Sequence, residues 1–371
     1  MHRLPIVTEP NTISHLPQPN APVTAIDSLP RRFGAYDYVR YGAKLARGML
    51  SSRLFGHHRP LLVNFETTRR CNLNCVYCDK SNDGSPDMDT AAAIQVIDEL
   101  AAIGTLSICF DGGEPLMHPD IERFVRRAKT HGMRVSMSTN GILVPRNTNV
   151  LRFVDKVKIS IDGPPVIHDI GRRSGSFEGA FEGARIAAKA GCGVAIRMTI
   201  GEHNVRYYRD VLAIAKELHV KALFQPAVGS IMDNANAPEA HSANIAAYHA
   251  AIDHLVQLKA KGEPVANETL CLHHLRNWPN PIPVSVCSGG RVEVAIGPDG
   301  SVFPCGRRGR HQQAPNVLTM GVANAFKRLS RPTDCSNCWC ALTLAGCYLY
   351  RGDLRMLTGT FGSRKSPTAR C

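Results

Sequence analysis

Three cysteines, Cys71, Cys75 and Cys78, fall within eight residues of the 371-residue chain, in the stretch RRCNLNCVYCD from Arg69 to Asp79. Thiols packed so closely bind metal or do redox chemistry. A tetrahedral zinc site takes four protein ligands, or three plus water, and C-x3-C-x2-C lacks the matching second pair of a zinc finger. A four-iron, four-sulfur cube (4Fe–4S) has four irons, each wanting one external ligand. Three local thiolates hold three corners and leave the fourth iron open to another group. The chemistry this loop suits is binding of a further ligand at that vacant corner.

The chain has thirteen cysteines. In a reducing compartment such clusters point to metal or catalysis rather than to disulfides. Cys109, Cys192 and Cys271 stand alone in sequence and read as small buried apolar residues. Seven more lie in the last quarter: Cys287, Cys305, Cys335, Cys338, Cys340, Cys347 and Cys371. Cys287, Gly300 and Cys305 follow C-x12-G-x4-C, and Cys335-x2-Cys338 comes after them. These four thiols suit a second iron–sulfur cube, or one zinc in a ribbon. Cys371 is the last residue, where fraying weakens a ligand.

Regular elements must position these groups. From residue 61 to about 261, β-rich runs alternate with helical patterns. Strands are expected at 61–68, 106–113, 134–141, 156–165, 194–200 and 222–228, and helices at 90–104, 119–132, 176–191, 205–219 and 243–262. The alternation predicts a parallel α/β sheet, either open and doubly wound or a partial barrel, with chemistry at the carboxyl ends of its strands. Cys71 follows the first strand, so the open corner is expected at that mouth. Residues 271–371 are loop-rich, with one hairpin expected over 291–304 around Pro298-Asp299-Gly300.

Hydrophobic residues make up 44% of the chain and charged residues 20%, an ordinary globular balance. No apolar run approaches the roughly 18 residues a membrane span needs. Residues 1–30 have no apolar signal core, and a cytoplasmic protein is expected. Net charge is +13. Much of it is local: Arg31, Arg32, Arg40, Lys44, Arg47, Arg53 and Arg59 face a single Asp37. Tyr38, Tyr41, Leu45 and Leu50 give that segment helical apolar spacing. It reads as a helix capping the main domain, or as one lying on a membrane surface or steering an acidic partner. Basic residues do not interleave with aromatics as in nucleic-acid binders, so no nucleic acid is expected.

CNLNCVYC after a strand resembles the signature of the radical S-adenosylmethionine superfamily, and the resemblance spans roughly residues 61–261. It implies a partial (β/α)6 TIM-type barrel, in agreement with the strand count. It also implies that Cys71, Cys75 and Cys78 hold a 4Fe–4S cluster whose open iron is chelated by S-adenosylmethionine. Cleavage then gives a 5′-deoxyadenosyl radical that abstracts hydrogen from substrate. The backbone of Tyr77 is expected against the adenine. Gly112 and Gly113 in FDGGEP are expected to let the backbone approach the cofactor, with Glu114 accepting from its amino group. Ser160 and Asp162 in KISIDGPP are expected at the ribose and methionyl end, and Arg197 in VAIRMTI at the carboxylate. An electron donor such as flavodoxin or ferredoxin is implied.

The hairpin cysteines followed by C-x-x-C resemble the auxiliary-cluster extensions called twitch and SPASM domains. The longer SPASM pattern is not met, since residue 344 is Leu and Cys340 and Cys347 fit neither spacing. One auxiliary 4Fe–4S cluster on Cys287, Cys305, Cys335 and Cys338 is favoured over two. Cys340 and Cys347 read as inert thiols or as a hydrogen donor to a substrate radical. The expected organisation is a tail (1–30), a basic amphipathic helical segment (31–60), a barrel (61–270) and a Cys-rich auxiliary domain (271–371). The expected reaction is a net oxidation or bond formation with the auxiliary cluster as electron acceptor. Redox-neutral epimerisation, peptide or protein maturation and lipid modification at a membrane are the alternatives. Gln225, His168, Arg172 and Arg173 are candidate contacts to a small-molecule or peptide substrate.

Overall fold

The computed structural model describes residues 32–78, 82, 84, 86–227, 244–280, 286–306, 314–329, 338–353 and 356. Six strands run parallel in chain order: β1 (Leu62–Thr68), β2 (Ser107–Gly112), β3 (Arg134–Thr139), β4 (Lys156–Ser160), β5 (Gly193–Ile200) and β6 (Lys221–Pro226). Helices Thr90–Ala102, Ile121–Thr130, Ser176–Lys189 and Tyr208–Glu217 pack on one face. That face is apolar: Val63, Phe65, Ile108, Phe110, Val135, Met137, Val157 and Ile159 are buried in the main core. The alternate positions are polar. Register sets Asn64 beside Cys109, Cys109 beside Ser136, and Ser138 beside Lys158, so these line the opposite, concave face. The result is the partial TIM-type barrel with a polar lumen.

The hairpin is present as β7 (Glu293–Ile296) and β8 (Val302–Phe303), but it does not stand apart. β7 pairs parallel with β1, Leu62 opposite Glu293 and Phe65 opposite Ile296, and β8 follows antiparallel. One eight-stranded sheet of order β6-β5-β4-β3-β2-β1-β7-β8 carries both cysteine groups. β4 ends at Ser160, sooner than the sequence pattern suggests, and Pro165 begins a short helix, Pro165–Gly171. Proline is at home in the first turn, where its missing N–H costs nothing.

Helix Ala35–Phe55 lies across the amino-terminal ends of the strands. Tyr41, Leu45 and Met49 enter the core. A Cβ on Gly48 would come within 2.6 Å of Leu61, so glycine allows the close crossing. Just before the helix, Phe33 N–H donates to Asp155 (2.8 Å). Asp155 is buried and also accepts from Lys129 Nζ (3.0 Å) and Val135 N–H (2.7 Å). Leu50, expected on the same apolar face as Tyr41 and Leu45, points outward instead.

Candidate cluster and cofactor site

Backbone and amide contacts stitch the Cys71–Cys78 loop to the strand ends. Val76 N–H donates to Gly171 O (3.0 Å), and Cys78 N–H donates to Cys75 O (3.0 Å). Arg173 Nη1 donates to Asn72 O (2.8 Å), and Asn140 Nδ2 to Asn72 Oδ1 (2.7 Å). Leu73 N–H points at Cys71 Sγ (3.4 Å), a donor of the kind that stabilises a thiolate. Burial pushes the Cys71 thiol up to about 11, with Glu114, Cys75 and Cys78 adding repulsion. Burial also raises Cys75, against the opposing pull of Arg172.

The three thiols therefore feel one another's charge. A bound cation would relieve the mutual repulsion of these thiolates.

The end of β2 serves this loop directly. Gly112 has φ +133°, and a Cβ there would lie 2.3 Å from Thr68 O. A Cβ on Gly113 would lie 2.4 Å from Arg70 O. Gly113 N–H donates to Thr68 O (2.7 Å) and Glu114 N–H to Arg70 O (2.9 Å). The close approach that needs glycine is thus to the cysteine loop's own backbone. Glu114 is turned inward as well. Its carboxylate accepts from Thr139 Oγ1 (2.7 Å), Asn140 N–H (2.8 Å) and Leu116 N–H (3.1 Å). Burial outweighs those donors and pushes it up to about 7. These donors tie the Glu114 carboxylate to the β2 and β3 ends.

Asp162 is likewise held by protein donors. It is fully buried and accepts from Tyr77 Oη, Arg172 Nε (2.7 Å) and Thr199 N–H (2.9 Å). Burial raises its pKa, but Arg172 and the other donors more than offset this and hold it below the usual carboxylate range. Arg172 stacks over the Tyr77 ring, 5.6 Å from its centroid, and its Nη1 lies 3.7 Å from Cys75 Sγ. One cation thus joins the β4 end to Cys75. Arg172, one of the candidate substrate contacts in the sequence, is buried and clamps Asp162 to the cysteine loop.

His168 is also internal: its Nδ1 accepts from Asp162 N–H (3.2 Å). Burial and Arg172 lower it to about 4, so it is neutral. Arg173 is exposed and holds the loop from outside. Ser160 and Arg197 are brought together, opposite each other across β4 and β5 on the lumen face. Gln225 follows on the same face, opposite Thr199. It is buried, and its Oε1 has no hydrogen-bond partner among the described residues.

The second thiol group forms at the other end of the sheet. Cys347, on helix Ala341–Arg351, is buried within hydrogen-bonding reach of both Cys287 and Cys338. Cys305 and Cys340 lie near enough to repel charge on Cys338. Ser288 N–H points at Cys347 Sγ (3.4 Å) and Gly289 N–H at Cys287 Sγ (3.3 Å). Cys335 and Cys371 lie outside the described residues. Cys347 is the member that spacing missed. Its cue was periodicity, three residues after the buried Leu344 on one helix face.

Residues 65–218 match the family model described as Radical SAM superfamily. The chain is 28% identical over 330 residues to the AdoMet-dependent heme synthase of Methanosarcina barkeri, covering 79% of this chain and 94% of that one. It is 31% identical over 306 residues to the mycofactocin maturase MftC of Mycobacterium ulcerans, covering 76% and 80%. Its fold is similar to that of Streptococcus suis SuiB bound to precursor peptide SuiA, with TM-score 0.59 and 12% identity over 79% of this chain and 70% of that one. The stitched cysteine loop at the mouth of a parallel barrel and the likeness to MftC over four-fifths of its length lead to one conclusion: the chain is an enzyme of the radical SAM superfamily.

Proposed function

We propose that this enzyme couples hydrogen abstraction to the loss of an electron from its substrate, a net oxidation or bond formation within a biosynthetic pathway. The observation that carries the reading is the thiol group of Cys287, Cys305, Cys338 and Cys347, Cys287 half-buried and the other three buried. Its four sulfurs suffice for every iron of a second cube, leaving electron transfer as its role. When bound, the reduced first cluster and S-adenosylmethionine supply the 5′-deoxyadenosyl radical. Cys71, Cys75 and Cys78 hold three corners of that cluster. Arg197 offers a bidentate guanidinium to the methionyl carboxylate, and Ser160 a hydroxyl beside it. Gly112, Gly113 and Tyr77 contribute backbone, while Glu114 and Asp162 position the strand ends. Gln225 offers its free amide oxygen to substrate in the lumen. A flavodoxin or ferredoxin is the electron donor, and the substrate is a small molecule or a peptide.

Anaerobic reconstitution tests this. The wild-type protein should carry roughly eight irons, and Cys338→Ala/Cys347→Ala roughly four. The double variant should still form 5′-deoxyadenosine. With a substrate in hand, its product per 5′-deoxyadenosine should fall sharply, while circular dichroism and limited proteolysis confirm a folded chain. A wild type holding only four irons would remove the second cluster. Full product yield in the folded variant would favour a redox-neutral reaction such as epimerisation.

A further inference from the structure

The first helix, Ala35–Phe55, has two apolar faces, and only one is packed against the described residues. Tyr41, Leu45 and Met49 point into the core. On the opposite side Tyr36, Val39, Ala43, Leu50 and Leu54 recur at helical spacing, with Arg47 completing the row. Tyr36, Val39, Leu50 and Leu54 are 57% to 73% exposed, far beyond scattered surface apolar residues. Arg40 and Lys44 are exposed along one flank of this stripe. The helix's single acidic residue, Asp37, accepts from Gly34 N–H (2.9 Å) at the cap. No helix among the described residues is long and apolar enough to cross a membrane.

We propose that this stripe docks the enzyme on an anionic membrane surface, the helix lying in the interface plane. The apolar row inserts at the headgroup boundary while Arg47 snorkels from within it, and Arg40 and Lys44 meet anionic headgroups. The basic flank selects this occupant: an apolar protein partner would not need it, and a second copy would bring like charge against like. The helix crosses the amino-terminal ends of the strands, whereas the cysteine loop follows their carboxyl ends. Docking therefore turns the cluster mouth away from the lipid, open to an electron donor and substrate from solution. The stripe itself carries no thiol; the helix meets helix Ala341–Arg351 through its inner face, where Ser52 Oγ lies 2.9 Å from Tyr350 Oη, so this proposal stands or falls without the reaction.

Vesicle co-sedimentation of the full chain decides it, using phosphatidylcholine alone and phosphatidylcholine mixed with phosphatidylglycerol. The expected result is binding to the mixed vesicles that weakens with salt and exceeds binding to neutral ones by roughly tenfold or more. Leu50→Ser/Leu54→Ser should lose most of that binding, and so should Arg40→Gln/Lys44→Gln/Arg47→Gln, with melting and 5′-deoxyadenosine formation unchanged. Absence of binding by the full chain overturns the proposal, as does binding indifferent to both variants or to lipid charge. Analytical ultracentrifugation completes the test. A dimer abolished by Leu50→Ser/Leu54→Ser, without vesicle binding, would assign the face to a second copy.

Discussion

At the scale of single residues, Arg172 joins structure to chemistry. It pairs with buried Asp162, covers Tyr77 and lies 3.7 Å from Cys75 Sγ. Arg172→Ala leaves Asp162 buried without its cation, and should cost about 3–5 kcal/mol in denaturant unfolding. In the milder Arg172→Gln, the loss of a positive charge beside Cys75 should lower the first cluster's reduction potential, read by potentiometric EPR. Gly113→Val should lose iron at the first site, because its side chain would meet Arg70 O in the loop; retained iron with weakened cofactor binding would contradict this. The cysteine triad and the two glycines were legible because their requirements are local. Where Glu114 and Asp162 point was not, because Asn140 and Thr199, brought in by other strands, decide it.

Among the elements, the buried Lys129–Asp155 pair holds several together. Asp155 precedes β4 yet receives the segment before the first helix, the helix Ile121–Thr130 and the start of β3. Asp155→Ala should destabilise by about 3–5 kcal/mol, as expected when one partner of a buried pair is removed. Chemical unfolding monitored by circular dichroism measures it. The six β/α units were readable because period-2 and period-3.6 patterns alternate over long runs. The pairing of β7 was not. A four-residue strand, Glu293–Ile296, carries no sign of which edge it joins, and its parallel match to β1 is set by the whole sheet. The inward face of the first helix was half readable, since two apolar rows on one helix blur the periodicity that each would show alone.

For the whole molecule, β7 makes the C-terminal region part of the barrel sheet. Ending the chain at residue 280 should uncover the β1 edge, whose free N–H and C=O groups template association. Such a protein should aggregate in sedimentation velocity, whereas a separable domain would leave a monodisperse barrel. The same join has a geometric consequence. Cys71 comes after the carboxyl end of β1, and Cys287 before the amino end of β7, which runs alongside it. The seven residues of β1 therefore act as a spacer of roughly 20 Å between the two cysteine groups. Lys158, Cys109 and Ser138 line the passage between them, with Lys158 Nζ 3.1 Å from Cys109 Sγ. A rigid strand cannot shorten that gap, so a substrate touching both ends must be elongated, about as long as six or seven extended residues. On the proposed net oxidation, a compact one gives up its hydrogen at the mouth and its electron has to cross this polar corridor. On the same proposal, the length of a single strand sets a size rule for a substrate that touches both cysteine groups.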